Sequence, residues 1–156
     1  MMKLVLSVLL IIYLLALSVS DIKTRKIPVI LLRTGMVTVL LFLTVQSLVL
    51  LPPSELIGRV LTALLGAIPG LLLMILSFYS DKIGKGDGIV LMTIGLTESC
   101  TFSMVLICTA CLGLAFFSGL LLCFHKVSGK TQMPYIPFVT GAYMLLKLSE
   151  RSYFLL

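Results

Sequence analysis

Charge is what this sequence has least of. Lys, Arg, Asp and Glu make up 12% of its 156 residues, and only six residues are acidic. Soluble domains carry roughly 25% charged residues. With 60% hydrophobic residues and a mean hydropathy of +1.21, the chain reads as a polytopic membrane protein in the lipid bilayer. Histidine is nearly absent: His125 stands alone and cannot form a metal cluster by itself. The four cysteines, Cys100, Cys108, Cys111 and Cys123, lie in or beside one apolar run, and Cys108 and Cys111 form a CxxC. With no second pair and no histidine nearby, that spacing reads as helix packing rather than redox or zinc chemistry. No metal and no other cofactor is expected.

The net charge of +6 would suggest nucleic acid in a soluble protein. Here no nucleic acid is expected, because eight of the 12 basic residues sit in three short segments: Lys23, Arg25, Lys26 and Arg33; Lys82 and Lys85; Lys126 and Lys130. That distribution is the positive-inside pattern and places all three segments in the cytoplasm.

Taken in order, residues 4–20 carry no charge and run into Asp21 and a basic cluster. This reads as an uncleaved first span with its N-terminus outside, since a basic cluster anchors a span better than it begins a secreted protein. Pro28 suits the start of a second span running to about Leu51. Leu51-Pro52-Pro53-Ser54 turns into a third span that ends near Tyr79 and contains Gly66-Ala67-Ile68-Pro69-Gly70. The internal proline makes that GxxxG a kink or a close helix contact. From Gly88 to Phe124 a single charge, Glu98, interrupts the apolar sequence. Those residues reach about 55 Å as helix, short of the ~60 Å that two crossings need. The fourth helix is therefore expected to be short, near Gly88–Thr97, with Asp87 at its start. A fifth span over 101–124 offers Cys111, Ala115 and Gly119 as a small-residue packing face. A basic loop follows, and Pro134 and Pro137 open a sixth span ending near Leu148, with Lys147, Arg151 and the C-terminus outside. The expected fold is all-α, about six transmembrane helices in a single domain over 1–156.

Acids are so few that each needs a reason. Asp87 lies in Gly84-Lys85-Gly86-Asp87-Gly88, where glycines let the backbone turn tightly or approach a neighbour closely. An aspartate entering an apolar helix is costly to desolvate and is a functional candidate; the plainer reading is a helix-capping residue. Asp21 is separated from it by two spans, so both return to the same face. Two carboxylates on one face suit a shared-proton pair, in which like charges a few Å apart cannot both ionise. The charged member then deprotonates a water that attacks a carbonyl, and the neutral member protonates or hydrogen-bonds the carbonyl oxygen. Asp81, beside Lys82 in the same loop, is the competing acid and reads as a solvated surface charge.

Three elements in this order resemble the type IV prepilin peptidases: Asp21 seven residues before Pro28 of an Ile-Pro pair, Gly84-Lys85-Gly86-Asp87 as a GxGD, and Pro134-Tyr135-Ile136-Pro137-Phe138 near the last span. The resemblance covers nearly the whole chain. It implies a membrane aspartyl protease that removes the basic leader of pilin-like precursors at the cytoplasmic face of the cell membrane. It also implies that Asp21 and Asp87 are the catalytic pair. Gly84, Lys85, Gly86, Gly88, Pro28, Pro134 and Pro137 would then bind substrate or shape the surrounding loops. Val29 and Ile89 depart from the Asn and Lys often found at those places in the family. The chain has no zinc-binding cytoplasmic insertion, so it is similar to the short forms such as the preflagellin peptidases, which leave the product unmethylated. A reading from another class is a non-catalytic membrane subunit of a secretion or transport assembly, which explains the hydropathy but not two acids returned to one face.

The topology has a direct test. In a cysteine-free background, cysteines placed at Thr24, Ile83 and Gly129 should be labelled from the cytoplasm, and those at Ser54 and Ser152 from outside. Labelling of position 83 from outside would separate Asp21 and Asp87 onto opposite faces and end the two-carboxylate reading.

Overall fold

The computed structural model describes residues 2–24, 28–50, 52–79, 84–123 and 134–153. These form six helices: α1 Met2–Thr24, α2 Val29–Leu50, α3 Pro53–Tyr79, α4 Lys85–Thr97, α5 Cys100–Cys123 and α6 Ile136–Tyr153. The fold is all-α, with no strand among the described residues. Val5–Thr24, Val29–Ser47, Ser54–Tyr79 and Cys100–Cys123 are each long and apolar enough to cross a membrane. Their outward faces are apolar too, with Ile12, Ile30, Ile57, Leu112 and Phe116 all exposed. Helices that are apolar on both sides belong in lipid rather than in water.

Boundaries follow the sequence closely, with two informative differences. Helix α1 does not end at Asp21 but continues to Thr24, so the aspartate is part of the helix. Helix α6 continues past Leu148 to Tyr153, carrying Lys147 and Arg151 on the helix rather than on a tail. There Lys147 pairs with Glu150 at 3.0 Å and lies 5.9 Å from the centre of the Tyr143 ring. The basic residues Arg25, Lys26, Lys82, Lys126 and Lys130, together with Asp81 and His125, lie outside the described residues.

The chain divides into two compact units. One is built from α2, α3 and α4 with the starts of α1 and α5, within Met1–Leu10 and Ile27–Met104. The other takes the remainder of α1 and α5 with α6, within Ile11–Lys26 and Val105–Leu156.

In the first unit, α4 lies against α3 and α2. At 13 residues it is the short helix that the length argument required. Beyond its first turn, which carries Lys85 and Asp87, it has no charged residue and is buried to match, with Val90, Leu91, Thr93 and Ile94 essentially sealed. Three buried hydroxyls are satisfied within their own helices, while that of Ser103 is sealed with no partner among the described residues. Thr93 donates to the Ile89 carbonyl at 2.8 Å, Thr97 to that of Ile94 at 2.7 Å, and Ser77 to that of Met74 at 2.7 Å. Such back-bonding suits surroundings that offer no water.

Glycines set the spacing of α3 and α4. A Cβ on Gly66 would run into the Gly95 carbonyl oxygen, and one on Gly95 into that of Gly66. One on Gly70 would meet the backbone of Met92, and one on Gly88 would lie 2.8 Å from the Met74 nitrogen. The Gly66–Gly70 pair is thus the close helix contact its spacing suggests, made within the chain. The helices approach backbone to backbone, the geometry that small residues permit in membranes.

In the second unit, α1 turns a buried stripe of Leu14, Leu17 and Asp21 inward, and α6 turns Ile136, Val139, Thr140 and Tyr143. Helix α5 meets α6 where the Phe117 and Phe138 rings lie 5.6 Å apart and Gly113 faces Phe138. The expected packing face of Cys111, Ala115 and Gly119 is not used. Cys111 and Ala115 are exposed, and a Cβ on Gly119 would meet nothing within 4 Å. The inward stripe of α5 is instead Leu106, Ala110 and Gly113, and one position along a helix is about 100° of rotation.

If backbone contact sets the α3–α4 distance, Gly66→Ala and Gly95→Ala should each lower the melting temperature in detergent, by the equivalent of about 1–3 kcal/mol. Gly58→Ala, where a Cβ meets nothing within 4 Å, should be neutral or stabilising. Equal behaviour of all three would show that the seam is not tight.

Candidate active site

Asp21 sits in the last turn of α1 and is 7% exposed. Its Oδ2 accepts a hydrogen bond from the backbone N–H of Ile136, the first residue of α6, at 3.3 Å. The local sequence explains why that donor is available. The first N–H groups of a helix have no carbonyl behind them within the helix. Pro137, the next residue, brings no N–H at all. Phe138 donates to the Tyr135 carbonyl at 3.1 Å, and Val139 to the same oxygen at 3.3 Å. The Ile136 N–H is left to point across at α1, with the positive end of the α6 dipole behind it. Thr140, one turn further, donates to the Ile136 carbonyl at 2.9 Å and reaches the Leu14 carbonyl of α1 at 3.3 Å. Phe138, the last residue of the Pro-x-x-Pro-Phe segment, fixes the same end of α6 to α5. Pro134 precedes the helix and is half-buried. The segment is thus the device that brings a backbone donor to Asp21.

Asp87 lies in the first turn of α4, and its N–H bonds the Gly84 carbonyl at 3.1 Å. It is not the helix cap: Gly84 holds that position, with no side-chain capping bond. The Asp87 carboxylate folds back over Gly84, where a Cβ would lie 2.8 Å from Oδ2. Gly84 has φ −65° and ψ 123°, a conformation open to any residue. It serves here by leaving space, not by bending the chain. Gly88 serves likewise, against α3. Lys85 and Gly86 are the first two residues of α4. Pro28 lies exposed just before α2, its carbonyl accepting from the Leu32 N–H at 3.2 Å.

Asp21 and Asp87 belong to different compact units, and each is held by its own surroundings. Two contributors escaped the sequence reading: the Ile136 N–H, which no side-chain motif announces, and Thr140, whose only signal is a hydroxyl one turn inside a helix opened by prolines. Among the described residues no three His, Cys, Asp or Glu side chains gather to hold a metal. None of the four cysteines is in a disulfide, and Cys108 and Cys111 are exposed.

Gly84→Ala should displace the Asp87 carboxylate while leaving the fold intact, since alanine is an ordinary residue at that φ and ψ. The expected result is a changed rate of carbodiimide modification at Asp87, mapped by mass spectrometry, with little change in melting temperature. Unaltered modification would show that the carboxylate does not need the space over Gly84.

Comparison with curated proteins gives no match, and comparison with solved structures gives none either. A family model does match, that of the type IV leader peptidase family, over residues 8–123. The matched stretch holds Asp21 and the whole of Gly84-Lys85-Gly86-Asp87-Gly88 and stops short of α6. With most of its length accounted for, the chain belongs to the type IV leader peptidase family and is a leader peptidase-like protease of the membrane.

Proposed function

We propose that this protease is of the aspartic type, with Asp21 and Asp87 as its catalytic pair, and that it removes basic leaders from pilin-like precursors at the cytoplasmic face. The observation that carries the reading is the burial of Asp21 in an apolar helix pair, on a backbone donor supplied by the start of α6. A carboxylate in such surroundings is expensive unless it is used.

Helix length supports the same reading. Helix α4 has 13 residues, about 20 Å against a hydrocarbon core of about 30 Å. A helix that short, joined at its far end to an outer turn, begins below the cytoplasmic surface and draws Asp87 down with it. The apolar part of α6 before Lys147 is shorter still. The donor it gives Asp21 therefore lies below the surface as well.

In the proposed reaction one carboxylate takes a proton from a water molecule, which adds to the scissile carbonyl of the precursor. The other carboxyl donates a proton to the carbonyl oxygen. Collapse of the tetrahedral intermediate expels the new amine, which takes a proton from the first carboxyl, while the second carboxylate takes a proton back from the hydroxyl that becomes the new C-terminal carbonyl, and the pair returns to its starting state.

Asp21→Asn and Asp87→Asn should each abolish processing of a pilin-type precursor on a gel, while the protein still accumulates in the membrane. Groups acting as a unit are non-additive, so the double variant should be no worse than either single one. Asp81→Asn should retain most activity, and a chelator should not inhibit. A dead Asp81→Asn beside an active Asp87→Asn would reassign the second acid. Normal processing by all three would end the aspartic reading.

A further inference from the structure

We infer that Thr140 is a positioning residue for Asp21. The inference rests on the proposed role of that aspartate and adds a residue to its machinery. Thr140 is 4% exposed, and its hydroxyl proton has two carbonyl oxygens within reach: Ile136 on its own helix at 2.9 Å and Leu14 on α1 at 3.3 Å. Ile136 is also the residue whose N–H holds the Asp21 carboxylate. Helices α1 and α6 are thus joined by polar contacts at two levels. At one level α1 supplies the acceptor as a side chain, and at the other as a backbone carbonyl. Seven residues separate Leu14 from Asp21, two turns of helix and therefore the same face.

Phe138 ties this end of α6 to α5, but toward α1 a single long hydrogen bond leaves the helix start free to rotate and slide about that point. A second tie one turn along removes the freedom. The surrounding contacts do not replace it, because Leu14, Leu17, Val139 and Tyr143 pack without direction. A threonine hydroxyl commonly bonds the carbonyl one turn back, and that bond alone would serve only its own helix. The reach to Leu14 makes the residue a clamp, and what the clamp fixes is the height and rotation of the Ile136 N–H relative to Asp21.

The test compares Thr140→Val, which keeps the shape and removes the hydroxyl, with Thr140→Ser, which keeps the hydroxyl. Three quantities are read on the full-length protein in detergent: melting temperature, amide hydrogen exchange at Ile136, and kcat and KM on a purified pilin-type precursor. The Val variant should keep its membrane level, lose protection at Ile136 by about tenfold, and lose kcat by about tenfold or more with KM unchanged, the scale of effect that a small misplacement of a reacting group produces. The Ser variant should restore both. Unchanged Ile136 exchange in the Val variant overturns the inference, as does lost protection with unchanged kcat. If Thr140→Val fails to accumulate, Thr140→Ala set against Thr140→Ser isolates the hydroxyl, and identical behaviour of those two overturns it as well. A wild-type protein that cleaves nothing, yet loses Ile136 protection on Thr140→Val, would uphold the clamp and reject the protease reading.

Discussion

Inside a hydrocarbon layer a polar group has only the protein to bond to, and this constraint orders the polar side chains of the molecule. Ser77, Thr93 and Thr97 meet it locally, each returning its proton to a carbonyl of its own helix. Asp21 cannot, because a carboxylate within a helix finds every nearby amide already engaged. Its partner must come from the start of another helix, where backbone donors are left over. The Pro-x-x-Pro-Phe segment answers that need. One proline precedes the helix, the other removes a neighbouring donor, and the phenylalanine fixes the end against α5. What looks in sequence like a substrate-facing motif is, in its backbone, a holder for an acid more than a hundred residues earlier.

Much of this was legible beforehand, and for definite reasons. Long uncharged runs interrupted by basic segments announce spans, and Pro53 marks a helix start because backbone chemistry leaves little choice there, whereas α4 begins at Lys85, a turn before the expected Gly88. Even the short fourth helix followed from arithmetic on 37 residues, Gly88 to Phe124. Other points were out of the sequence's reach. The basic cluster after Asp21 marks a cytoplasmic segment, yet charge density says where water is and not where a helix stops, and α1 runs on to Thr24. Cys111, Ala115 and Gly119 were given a packing face because they are small. Smallness says that a face can be approached, not that this chain approaches it. The Ile136 donor was invisible in principle, being a backbone group common to every residue but proline.

The family match and the structure divide the site between them. The match holds both aspartates and ends with α5. The atoms that hold Asp21 lie beyond it, in α6. Both aspartates thus lie within the matched stretch, while the donor that holds one of them lies outside it and has to be read from geometry. This also separates two kinds of glycine within one motif. Gly84 clears room for a carboxylate and Gly88 clears room for a helix, so the same residue type answers to chemistry at one position and to packing at the other.

The seam between α3 and α4 has a mechanical consequence. Where side chains separate two helices, rotamer changes let one slide or tilt against the other at small cost. Here carbonyl meets α-carbon with nothing between them, and no rotamer exists to change. Helix α4 is in effect riveted to α3, and Asp87 travels wherever that longer helix goes. Any displacement of α3 therefore carries α4, and Asp87 with it, as one lever.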